Sequence, residues 1–166
     1  MTSHTHRLST SAPFWRGAQG AGISQTVLVV CAAFGLRLSA EAATIAIAEG
    51  VQGGGLPKPD VCPLQAPDAR ERDIGALLNA LDFDARMRSA RALVIGTRRL
   101  QERALTGSVT FEIATRARQG GLPAYAVTAR NELESFDARI LDIQLVLQAG
   151  SRKELRDAGL QLAMLV

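Results

Sequence analysis

A short arginine-rich segment bounded by glycines is the part of the sequence best suited to hold an anion. It begins where a predicted strand ends at Ile95 and finishes where a predicted helix begins at Val109. Free amide groups and the dipole at a helix start attract negative charge, and guanidinium groups bind phosphates or carboxylates through paired N–H donors. A solvated basic loop is the alternative interpretation. The candidate anion-binding residues are Gly96, Thr97, Arg98, Arg99, Gly107 and Ser108.

No complete catalytic motif accompanies this segment. A P-loop requires a lysine between its last glycine and a Ser or Thr, whereas Ser108 follows Gly107 directly. Both histidines, His4 and His6, lie near the N-terminus, where no Ser and Asp set and no further metal ligands accompany them. The sequence therefore predicts no catalytic residue and no metal site.

The elements that must position this segment alternate between strand and helix. Short apolar, β-branched runs predict strands, and apolar residues three and four apart predict helices. Strands are predicted over 26–31, 61–64, 92–95, 124–128 and 143–147, helices over 40–49, 71–82, 109–119 and 152–164, and a turn over 84–89. Parallel strands joined by right-handed crossovers form one sheet between two helical layers. We therefore predict an α/β, Rossmann-like three-layer domain with a five-stranded, mostly parallel sheet.

Helix ends are marked by capping residues. Ser39 and Ser151 are suited to cap helix starts, and Gly50 is predicted to end the first helix. Leu155, Leu162 and Leu165 are predicted to face inward from the last helix.

The sequence divides into a tail and one domain. Residues 1–24 lack sustained periodicity and are predicted to be disordered, and residues 25–166 are predicted to form the folded domain. The apolar run 27–33 follows arginines, as an export signal would, but Arg37 and Glu41 interrupt it well before membrane-spanning length. We expect a cytoplasmic protein with no membrane association, and export is the alternative.

Composition narrows the classes of partner. The net charge is +3, with 19 Lys and Arg residues, while only 4% of residues are aromatic. Because base stacking needs aromatic side chains near basic ones, we predict no nucleic-acid binding. Cys31 and Cys62 are too few to stabilise a small secreted fold and are predicted to be reduced core thiols.

Two segments resemble the bacterial glycerate kinases. The first, 27–40, resembles that family's opening strand, loop and alanine-rich helix and matches it at Phe34, Leu38, Ser39 and Ala40. The second, 81–108, resembles the run into the family's Thr-Gly-Glu-Gly-Arg-Leu-Asp motif and matches it at Gly96, Arg99, Leu100, Glu102, Leu105 and Gly107. The likeness continues through 113–123 and 141–163.

The same resemblance shows where charged groups are replaced. The aspartate and lysine of the family's first loop fall on Ala32 and Gly35. Its threonine, glutamate, aspartate and lysine in the second segment fall on Ile95, Thr97, Gln101 and Ser108. The family's central domain is absent from the sequence. Phosphoryl transfer needs such groups acting together, so their loss removes most of the activity.

The resemblance therefore implies a degenerate glycerate kinase with little or no activity. ATP, Mg²⁺ and D-glycerate are implied only by this resemblance, and a small anionic ligand near the arginine segment is the ligand expected from the residues themselves. The alternative is a non-catalytic interaction or regulatory module that forms a homodimer or binds an intact kinase.

Overall fold

The computed structural model describes residues 25–65, 69–101 and 107–166. The predicted tail, 1–24, and its two histidines lie outside these ranges. The elements in chain order are β1 (Thr26–Cys31), α1 (Ala40–Gly53), β2 (Asp60–Pro63), α2 (Glu71–Ala80), α3 (Phe83–Arg88), β3 (Ala90–Leu100), α4 (Val109–Gln119), β4 (Ala124–Asn131), α5 (Ser135–Ile140), β5 (Ile143–Gln148) and α6 (Arg152–Ala163).

The five strands form one parallel sheet in the order β2-β1-β3-β4-β5. The interior strand β1 is buried on both faces from Val27 to Cys31, which explains its uninterrupted apolar run. This confirms the predicted α/β three-layer fold. The strand order is that of flavodoxin-like doubly wound domains.

Two separate apolar clusters cover the two faces of the sheet. One cluster joins β1 to α1 and α6, with Ile47, Leu155 and Leu162 at its centre. The other joins the sheet to α2, α3 and α4 through larger side chains such as Phe83 and Ile113. Leu155 and Leu162 therefore face inward as predicted, whereas Leu165, beyond the end of α6, is exposed.

Helices α1 and α6 pack with almost no side chain between them. A Cβ on Gly50 would collide with the Arg156 carbonyl oxygen, and a Cβ on Gly159 would collide with the Ile47 carbonyl oxygen. The prediction that Gly50 ends α1 is wrong, because the helix continues to Gly53. Gly50 serves the contact between helices instead of a helix end.

Other elements also differ from the prediction. Strand β3 runs on to Leu100, because β4 supplies pairing partners beyond the end of β1. The predicted turn over 84–89 is helix α3, which buries Phe83 in the core. Helix α5 was not predicted. It has only six residues, none of them buried, so its sequence shows little of the apolar periodicity that predicts a helix.

The two cysteines lie on neighbouring strands and are both free and buried, as predicted for core thiols. Cys62 pairs in register with Val30, and Cys31 pairs with Pro63. Cys31 belongs to the cluster under α1 and α6, whereas Cys62 belongs to the cluster on the other face. The sheet therefore separates the two thiols.

Of the helices in the described ranges, none combines the length and apolar character that crossing a membrane demands.

Candidate functional site

The sheet has one point where neighbouring strands send their chains in opposite directions. After β1 the chain passes through α1 to β2, on one side of β1, whereas after β3 it passes through α4 to β4, on the other side. The last bond between these strands runs from the Ala32 N–H to the Gly96 carbonyl, 2.9 Å long. Diverging connections at the carboxyl ends of parallel strands leave a crevice, where ligands of this fold class bind. We call it the β1–β3 crevice.

The loop between β1 and α1 forms one wall of this crevice. Phe34 is buried, and its N–H donates to the Leu38 carbonyl at 2.9 Å, which closes the loop on itself. Gly35 has a φ of 89°, a conformation that favours glycine. The Ser39 hydroxyl accepts from the Ala42 N–H at 3.1 Å and caps α1. The earlier amides of that first turn, those of Ala40 and Glu41, have no partner within the helix.

Arg98 reaches across from β3 to this loop. A Cβ on Gly35 would lie 3.6 Å from both Cζ and Nε of Arg98, so the guanidinium lies over the Gly35 backbone. Arg98 is exposed and has no acidic partner within the described ranges. Arg37, in the loop itself, is likewise exposed and unpaired there. Two uncompensated cations therefore adjoin the start of α1.

The neighbouring arginine is placed quite differently. Arg99 pairs in register with Arg130 of β4, and Glu132 lies 3.7 Å from each of the two guanidinium groups. The carboxylate offsets the repulsion between the two like charges. Arg99 is therefore engaged with β4, whereas Arg98 is available to a ligand.

The remaining predicted residues fall into two other settings. Gly96 lies within β3, where a Cβ would collide with the Cys31 sulfur, and the Thr97 hydroxyl donates to the Arg99 carbonyl at 3.4 Å. Gly107 and Ser108 precede α4, whose first turn is capped by the Ser108 oxygen accepting from the Phe111 N–H at 3.1 Å. Residues 102–106 between them lie outside the described ranges. The predicted anion site thus stays a prediction, and its residues lie on a strand and at a helix start instead of in one loop.

Sequence reasoning missed the contribution of the loop after β1. Arg37 and Gly35 were not candidate anion-binding residues, and Ser39 was predicted only as a cap and as a match to the kinase loop. A signal was available, because Gly35 and Arg37 lie four and two residues before Ser39, at the start of a predicted helix, where free amides favour an anion. What could not be read from the sequence is that Arg98 crosses to this loop.

Ser108 and Gly107 also line a cavity of about 290 Å³ between α2 and α4. A larger cavity of about 530 Å³ lies between α3 and α4, lined in part by Asp84, Glu112 and Arg116. Arg116 Nε lies 2.8 Å from Glu112, and its Nη1 lies 3.0 Å from Asp84. The hydrogen bond to Glu112, helped by Asp84, raises the pKa of Arg116. Arg116 is therefore engaged by two carboxylates and is not available to a ligand in the larger cavity.

Comparison with known proteins finds little similarity. No family model matches the chain, and no curated protein matches it significantly. One similar solved structure is a diflavin flavoprotein A3 from Nostoc sp., which is 14% identical with a TM-score of 0.42 over 85% of this chain and 93% of that chain. A likeness this weak supports no argument about function.

The prediction that the chain belongs to the glycerate kinases is wrong, and the kinase or transferase function that it implied is wrong as well. No family model, that of the kinases included, matches the chain. Four of the matched residues in the described ranges have structural roles that this fold requires by itself. Gly96 makes room for Cys31, Leu100 and Phe34 are buried, and Ser39 caps a helix. The resemblance therefore reflected the architecture and not a shared reaction.

Proposed function

We propose that this domain binds a small anionic ligand, with its phosphate or carboxylate group held in the β1–β3 crevice. The observation that supports this best is the position of Arg98, whose guanidinium lies over Gly35 in the loop before α1 and has no acidic partner among the described residues. The crevice is also where the fold class places its ligands.

Each group would act on the anion in a distinct way. Arg98 offers paired N–H donors in a planar arrangement, which match the oxygens of a phosphate or carboxylate. Arg37 adds a second positive charge, and the first amides of α1 add donors and a favourable dipole. Glu41 in the first turn of α1 opposes them, because its charge competes for the same dipole. Because the two guanidinium groups outnumber the Glu41 carboxylate, we expect a ligand with more than one negative charge to bind most tightly.

The β1–α1 loop offers groups that bind a negative charge, but it exposes no aromatic side chain on which a ring could stack. Phe34 is its aromatic residue and is buried in the core, while Ala33 and Leu36 are exposed. The Nostoc protein is named as a diflavin flavoprotein, and FMN ends in a phosphate, so this proposal includes FMN as one ligand of the anionic class. On this proposal the phosphate determines binding.

The test is an NMR titration of the ¹⁵N-labelled chain with inorganic phosphate and pyrophosphate. We expect saturable shifts of the Ala40 and Glu41 amides and of the Arg98 side chain. Arg98→Ala should weaken binding at least about tenfold, the loss typical of a charged hydrogen-bonding partner. Arg91→Ala is the matched control, since this exposed arginine lies at the opposite end of β3. Equal effects of the two variants, or shifts that do not saturate, would refute the proposal.

A second comparison uses FMN and riboflavin, which differ by one phosphate. We expect FMN to bind with an affinity that falls on adding salt and in Arg98→Ala. Riboflavin should bind much more weakly. Equal binding of the two flavins would mean that the ring governs recognition, which contradicts a site built for an anion.

A further inference from the structure

The two edges of the sheet are protected to very different degrees. The edge strand β2 has only four residues and includes Pro63, and Arg86 donates to its Asp60 carboxylate and Val61 carbonyl, each at 3.0 Å. Short length, proline and charge all discourage another chain from pairing there. The edge strand β5 has six residues, Ile-Gln-Leu-Val-Leu-Gln, with no proline and no charge. It pairs only with β4 among the described strands.

The helix beside β5 leaves apolar surface uncovered. A crossover helix normally buries one side against the sheet, but α5 buries none of its side chains. Phe136 is 69% exposed and Ile140 is 41% exposed. These two residues are four apart and so share one face of the helix. On β5 itself, Leu145, Val146 and Leu147 are only partly buried.

We infer that this edge, formed by β5 and α5, binds the same edge of a second copy of the chain. Two copies related by a two-fold axis perpendicular to the sheet would pair their β5 strands antiparallel and form one continuous sheet. The unpaired backbone groups of one edge meet their complements on the other, because the two edges are identical. The absence of charge on β5 means that self-pairing brings no like charges together.

The same axis places the two α5 helices side by side and antiparallel on one face of that sheet. Phe136 of each copy then faces Ile140 of the other copy. Asp137 lies in the first turn of α5 and Arg139 in its last turn, so antiparallel copies set opposite charges against each other. Because Asp137 and Arg139 cancel, α5 and β5 together carry no net charge that would attract an acidic or a basic partner of another kind. This inference is independent of the proposed anion site, which lies at the β1–β3 crevice.

The test is sedimentation equilibrium of the full chain at several concentrations up to about 100 μM, a range suited to a modest interface. We expect a dimer. Phe136→Glu and the double variant Gln144→Lys with Gln148→Lys should each weaken it at least about tenfold, by placing charge on an apolar or hydrogen-bonding surface. All three positions are exposed, and circular dichroism should show unchanged folding.

Met164→Glu is the matched control, because Met164 is 81% exposed at the end of α6, outside the proposed contact. It should leave the dimer unchanged. A monomer at the highest concentration, a dimer insensitive to the α5 and β5 variants, or one weakened equally by the control would each overturn the inference. Hydrogen exchange adds a second readout, since β5 amides should become more protected as concentration rises. Full protection of β5 in a monomer would mean that the chain covers its own edge, and would also overturn it.

Discussion

Cys31 shows how burial at the centre of the sheet sets the chemistry of one side chain. Its thiol is fully buried, and loss of solvation raises its pKa from 9.0 to about 12. Hydrogen bonds from Thr44 and the Gly96 backbone act in the opposite direction without compensating. The thiol therefore stays protonated and unreactive near neutral pH, where only the thiolate is a nucleophile.

This shift makes stability depend on alkaline pH. The unfolded chain releases the Cys31 proton near pH 9 and the folded chain only near pH 12, so stability is complete below pH 9 and falls as pH rises between them. From pH 8 to pH 10 the wild-type free energy of unfolding should fall by about 1.4 kcal/mol more than that of Cys31→Ala. Urea denaturation at both pH values measures this. Parallel declines in the two proteins would contradict it.

At this scale the sequence distinguishes residue types but not their surroundings. Arg98 and Arg99 are identical neighbours, and both were predicted to bind an anion. In the structure Arg98 lies over Gly35, whereas Arg99 meets Glu132. The difference arises because β3 extends past β1 and pairs there with β4 alone, which depends on contacts between distant parts of the chain.

The pairing of α1 with α6 depends on two glycines that allow the helix backbones to touch. Gly159 faces the Ile47 carbonyl, and Gly50 faces the Arg156 carbonyl. Close backbone contact of this kind cannot adapt to an added methyl group by rotating a side chain, so the helices themselves must move.

Gly159→Ala should therefore lower the free energy of unfolding by about 1–3 kcal/mol, as overpacking commonly does. Gly75→Ala is the matched control in helix α2, where a Cβ would contact nothing within 4 Å. It should stabilise by about 0.5–1 kcal/mol, because alanine loses less entropy in a helix. Urea denaturation of both variants tests the pair. Destabilisation by both would show that glycine is needed in these helices for another reason.

Elements with a strong local pattern were predictable, and those set by distant contacts were not. The bounds of α4 were predicted to the residue, because Ser108 caps one end and Gly120 follows the other. Gly50 has the type of a helix terminator, yet it lies within α1 because α6 packs against it. The length of β3 was missed because its last residues are polar and are held by β4.

For the whole molecule, protection should decrease from the centre of the sheet to its β5 edge. Strands β1 and β3 pair on both sides, while α5 has no buried side chain. Local opening is easiest where few apolar contacts must be broken.

At concentrations low enough to keep the chain monomeric, hydrogen exchange measured by mass spectrometry should find the slowest amides in β1 and β3 and the fastest helical amides in α5. Helix α3 is the internal control, since it also has six residues but buries Phe83. It should exchange more slowly than α5. Equal rates in these two short helices would show that burial of a single aromatic ring does not set local stability here.

The placement of the two thiols has a practical consequence for anyone handling the protein. Cys31 and Cys62 are close along the strand register, yet the sheet itself stands between their sulfur atoms. A covalent S–S link between them within one chain requires both strands to come apart first. A Cys31–Cys62 disulfide found by mass spectrometry in an aged sample would therefore show that those molecules had lost their native core before the bond formed.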